Sequence, residues 1–209
     1  MSDLHLYALS INEVRDLVGA EPAHAARLRE QVRPLLTEPV VAPRGWSRLF
    51  ARGPRPDPGQ PTEADVEAVL SGRWAPPERA VNTWRALELL IRIRALGSCA
   101  LPLAPDGIEG FDFAVTRAGA PANAGLGTVL RAGSRIGLPP NPAVVTGYLP
   151  YAQAQLMAQG LTGIRLEDAG HRAVLGTLVG FLATFPRWAG EAATAGRPQP
   201  DLLAIWTLG

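Results

Sequence analysis

At 209 residues and 47% hydrophobic composition, the chain is long enough to bury about two-thirds of its unfolded surface, and one domain spanning 1–209 is expected. Its 20 basic and 19 acidic residues leave a formal charge of +1, so no global field draws in nucleic acid or an anionic membrane, and nucleic acid is not an expected partner. All of the basic residues are arginine, which excludes Schiff-base, pyridoxal phosphate and phosphate-loop lysine chemistry, since each needs a primary amine.

The alternation of Leu4, Leu6 and Ala8 with Asp3, His5 and Tyr7 predicts a short opening strand with two different faces. Ser10-Ile11-Asn12-Glu13 has the form of a capping box, which starts a helix running to about Val18, where Gly19 can stop it. Pro22 suits the first turn of a second helix, with Ala23, Ala26, Leu28, Val32 and Leu35 on its apolar side. Six prolines from Pro39 to Pro61 then forbid a long helix or a central strand, so 38–61 is expected to be a linker or long loop rich in Pro and Arg.

Thr62-Glu63-Ala64-Asp65 opens a short acidic helix to about Gly72. The clearest helix spans Pro77 to Leu96, with Ala80, Trp84, Leu87 and Ile91 on one side, Arg85, Glu88 and Arg92 on much of the other, and Gly97 as its stop. Helices are also expected over 106–118, 123–132, 150–159 and 168–185, the last ending at Pro186 with a further turn or two to Ala195. Ala143 to Leu149 allows a short strand, and Asp201 to Leu208 is the clearest strand of all. The expected class is α+β, a mostly helical domain around a small sheet that pairs the N- and C-terminal strands.

Few of the residues suggest chemistry. The single Cys99 has no intrachain partner, no neighbouring His and no CxxC motif, and Met1–His5 does not have the form of a secretory signal, so a cytoplasmic location is expected. The nonpolar run from Ala173 to Pro186 falls short of the roughly 20 residues a membrane helix needs. His5, His24 and His171 are scattered, with no HxH or HxxxH pair, and neither a metal site nor a cofactor is expected. Gly125-Leu126-Gly127 lacks the preceding strand and third glycine of a dinucleotide fingerprint.

Three features stay open to two readings. Asp168 stands three residues before His171, which suits a carboxylate orienting an imidazole for acid–base work, or simple helix capping. His5 and Tyr7 share a strand face, which suits a pocket lining or a buried hydrogen-bond network, or the wet side of an edge strand. Arg44, Trp46, Arg48, Phe50, Arg52 and Arg55 form a run with no acidic residue between Glu38 and Asp57. That run could grip phosphate or another anionic ligand, an acidic protein or a membrane surface, with Trp46 and Phe50 stacking or inserting, or be a solvated turn whose aromatics pin the loop to the core.

Leu6-Tyr7-Ala8-Leu9-Ser10, Thr83 to Leu90, Gly147-Tyr148-Leu149, Phe185-Pro186-Arg187-Trp188 and Asp201-Leu202-Leu203-Ala204 together resemble an uncharacterised family of high-GC bacteria, a domain of unknown function. More distantly the chain looks like the YfbM-like group of small bacterial proteins, whose chains also begin and end with strands. The resemblance brings no known catalytic residues. The expected function is a cytosolic binding or interaction protein of accessory or immunity type, with a protein or anionic ligand as partner. The alternative is a small metabolite-modifying enzyme using His5, Tyr7, Asp168 or His171 for proton transfer without lysine or metal.

Overall fold

The computed structural model describes residues 4–36, 59–73, 75–103 and 107–207. Its centre is a four-stranded, wholly antiparallel sheet of β1 (Leu4–Leu9), β2 (Gly97–Leu101), β3 (Val144–Leu149) and β4 (Asp201–Thr207), in the order β2-β1-β4-β3. The strands near the two chain ends pair directly, His5 opposite Ile205 and Tyr7 opposite Leu203. The class is α+β, as the residue pattern predicts.

Because side chains alternate along a strand, the sheet presents two faces, and both are apolar. Leu4, Leu6 and Ala8 of β1 with Leu202, Ala204 and Trp206 of β4 form one core with the second half of the chain. That half supplies α5 (Gly107–Arg117), α6 (Leu126–Arg131), α7 (Tyr151–Leu161), α8 (Ala169–Ala183) and α9 (Phe185–Thr194). Tyr7 and Leu9 with Leu203 and Ile205 face the other way, into a core closed by α1 (Ile11–Arg15), α2 (Pro22–Val32), α3 (Glu63–Leu70) and α4 (Ala80–Arg94). The sheet therefore separates two helical layers, each built from one half of the sequence.

Several local expectations are corrected. Gly97 does not stop a helix: α4 ends at Arg94, and Gly97 opens β2, pairing with Ala8. Glycine is needed there because a Cβ would overlap the buried Trp188 ring of α9, which lies directly over the strand. Ser10 does cap α1, accepting from the Asn12 N–H at 3.3 Å, but Glu13 leaves the box unclosed and instead holds Arg94 and Arg197 at 3.1 and 2.9 Å. The closed half of a capping box occurs at α3, where the Thr62 N–H donates to Asp65 at 2.7 Å. Pro186 does not end a helix; it occupies the first turn of α9, where its missing N–H costs nothing.

The Gly125–Gly127 pair also finds its reason. The Asp112 carboxylate of α5 accepts from the Leu126 and Gly127 N–H groups at 2.7 and 2.8 Å, and a Cβ on Gly125 would stand 2.6 Å from it. The glycines clear the space for an internal carboxylate at the start of α6. Asp201 works similarly between the layers, accepting from Ile11 N–H at the start of α1 and Tyr151 N–H at the start of α7, at 2.9 and 3.2 Å. The arginine–aromatic run Arg44, Trp46, Arg48, Phe50, Arg52 and Arg55 lies outside the described residues.

Candidate functional site

β1 is not an edge strand; it lies between β2 and β4, so His5 and Tyr7 do not form the wet side of a sheet margin. Their face looks toward α4, whose polar stripe is set by helical spacing: Arg85, Glu88 and Arg92 stand at i, i+3 and i+7 and share one side. Trp84, Leu87 and Ile91 anchor the opposite side in the core and fix the helix's rotation. Glu88 is thereby turned toward the strand.

Three side chains meet there. The Tyr7 hydroxyl donates to Glu88 Oε1 at 2.7 Å, and His5 Nδ1 closes a short hydrogen bond on the same oxygen. Tyr7 is buried, while the side chains of His5 and Glu88 are 34% and 17% exposed, so the cluster is dry below and open above. Burial drives the Glu88 carboxyl up, but the hydrogen bonds from His5 and Tyr7, with the charges of His5 and Arg92, outweigh it and hold the group below its usual range. Tyr7 moves the other way: burial and the neighbouring Glu88 charge push its phenol far up, so it stays a donor.

The open side is a cavity of about 270 Å³, near the small end of ligand pockets, whose walls include His5, Tyr7, Arg85, Glu88, Leu89 and Arg92. Arg85 donates to the Gly59 carbonyl, which orients its guanidinium along the wall. Arg92 is exposed, and among the described residues no hydrogen bond or ion pair engages it. A second cavity of about 320 Å³ between α2 and α3 is different in kind. Its arginines are already matched, Arg29 with Glu67 at 2.7 Å and Arg33 with Glu63 at 3.7 Å, so little charge is left for a ligand.

A family model described as a domain of unknown function (DUF7691) matches residues 1–206. The chain belongs to that family. No curated protein and no solved structure matches the chain.

The sequence candidates divide between the two faces of the sheet. Asp168 is the N-cap of α8, accepting from the His171 N–H at 2.7 Å, and its carboxylate lies 3.8 Å from His171 Nδ1. His171 stacks edge-on against Phe111, which belongs to the core of the second helical layer. His5 and Tyr7 therefore do not share a site with Asp168 and His171. Glu88, Arg85 and Arg92 join His5 and Tyr7 instead, and sequence reasoning placed these three only on the polar side of a helix. Their signal was the regular spacing of a cation, an anion and a cation opposite a strand face bearing His and Tyr.

Cys99 lies outside this chemistry. It points with Leu6 toward the other core, and burial pushes its thiol up to about 12. Among the described residues no cluster of three or more His, Cys, Asp or Glu could hold a metal ion. No described helix is long and apolar enough to cross a membrane.

Proposed function

We propose that this protein is a binding protein for a small anionic ligand, held over the outer face of α4 by Arg92 and Arg85 with His5, Tyr7 and Glu88 as the floor. The observation that carries this reading is the position of Arg92, a cation unengaged among the described residues at the rim of a cavity of about 270 Å³. A guanidinium in a concave site is the usual recognition group for carboxylate or phosphate, because its fork of N–H donors matches two anion oxygens.

Titration calorimetry with inorganic phosphate and with malate tests the reading. Wild-type protein is expected to bind at least one of them, and Arg92→Ala is expected to weaken that binding roughly tenfold or more, the loss of one charge-assisted contact. Equal binding by wild type and Arg92→Ala, or no binding by wild type, overturns it.

The same reading keeps the Arg44–Arg55 run as an accessory surface for an acidic partner, tested by Arg48→Glu with Arg52→Glu in partner capture from the native host. It places the protein in the cytoplasm of a high-GC bacterium, supported by the all-arginine basic set and the lone Cys99, with a distant YfbM-like kinship. A second reading, acid–base catalysis on the bound ligand, is favoured by one observation. A carboxylate on His5 Nδ1 fixes the imidazole tautomer in the manner of catalytic histidines. On that reading His5→Asn would lower turnover far more than it weakens anion binding.

A further inference from the structure

Glu88 is an odd residue to find in an anion pocket, since its negative charge opposes the ligand that Arg92 would attract. Its two oxygens are used unequally. Oε1 takes both donors, Tyr7 at 2.7 Å and His5. Oε2 accepts no hydrogen bond among the described residues, and the side chain that carries it is 17% exposed and lines the cavity. The carboxylate stays ionised, because the two donors and Arg92 hold its proton affinity down against burial.

The pocket thus presents an ionised acceptor one helical turn from a cation. Glu88 and Arg92 are four residues apart on α4, which puts their side chains roughly 6 Å apart at the Cβ atoms. A ligand carrying only negative charge would meet Arg92 favourably and Glu88 unfavourably. A ligand that places a hydroxyl or amino hydrogen beside its anionic group satisfies both, and leaves no charge facing a bare oxygen.

Resting on the anion-binding reading above, we propose that Glu88 is a specificity-determining residue that selects anions also bearing a hydrogen-bond donor, the chemical class of hydroxy acids and amino acids. Tyr7 and His5 are positioning residues in this scheme: by occupying Oε1 they direct Oε2 to the ligand.

The test is a matched set of dicarboxylates measured by titration calorimetry at neutral pH. Malate differs from succinate by one hydroxyl at equal charge, so that affinity ratio isolates the donor; aspartate adds an ammonium, a donor that also carries positive charge. Wild-type protein is expected to bind malate or aspartate roughly tenfold more tightly than succinate, the low end for a hydrogen bond to a charged acceptor because the cavity is open. In Glu88→Gln the amide presents N–H to the cavity, so the ratio is expected to fall to near one, with succinate bound as well as before or better. A merely structural role for Glu88 would weaken all three ligands together, and that result overturns the proposal. A wild-type ratio near one, with binding still dependent on Arg92, overturns this proposal alone and leaves the anion-binding reading standing. Binding of none of the three overturns this proposal, and if inorganic phosphate does not bind either, both fall. Should Glu88→Gln fail to fold, as judged by circular dichroism, the wild-type ratio still decides.

Discussion

Tyr7 and Glu88 show how a single buried contact sets the character of the floor beneath α4. Replacing Tyr7 by Phe removes the hydroxyl without changing the packing of the ring, and leaves the largely buried carboxylate with one donor fewer. A hydrogen bond to a charged group contributes about 1.5–3 kcal/mol, and Tyr7→Phe is expected to cost about that much in chemical denaturation at pH 7. The sign of the pH dependence follows from Glu88 being held below its usual range in the fold. Such a group stabilises the protein above the ordinary carboxylate value of about 4.3, and that contribution is lost as pH falls through the lower folded value. The Tyr7→Phe deficit should therefore be flat near neutrality and shrink below about pH 4, whereas a deficit unchanged down to pH 3 contradicts the assignment. His5 and Tyr7 were legible in the sequence as a polar strand face; Glu88 was not. On α4 it reads as one more charged residue on a solvated stripe, and only the fold shows that the stripe is laid against β1.

At the level of elements, β2 is the instructive failure. Gly97-Ser98-Cys99-Ala100-Leu101 contains no β-branched or aromatic residue and follows a long helix, so local preference offers nothing that marks a strand. Pairing with β1 and the Trp188 ring above Gly97 create it. Gly97→Ala forces a methyl group into that buried ring, and overpacking of this kind costs about 1–3 kcal/mol. Thermal unfolding should show the loss, with a change in tryptophan emission as Trp188 is displaced; an unchanged melting temperature would mean that the ring can move aside freely. By contrast, the helices were readable from their apolar spacing, and the errors there lie at the ends. Glu13, for example, was drawn from its capping role by two arginines distant in sequence.

Across the whole molecule, the pairing of the two terminal strands was foreseeable from their alternating patterns, but the two-sided burial of the sheet was not. β1 has apolar residues on both faces, Leu4, Leu6 and Ala8 on one and Tyr7 and Leu9 on the other, so its alternation did not say which face helices would cover. Both are covered, and the consequence is functional. The sheet sets His5 and Tyr7 in one helical layer and Asp168 and His171 in the other, so candidates that looked like one catalytic set in the sequence become a pocket and a helix cap. The most direct test of the pocket is amide chemical-shift mapping of isotopically labelled protein titrated with malate. Shifts are expected to concentrate on His5 to Tyr7 and on Arg85 to Arg92, with Asp168 to His171 unmoved. Shifts concentrated at Asp168 to His171, or absent from the α4 face altogether, would contradict the account.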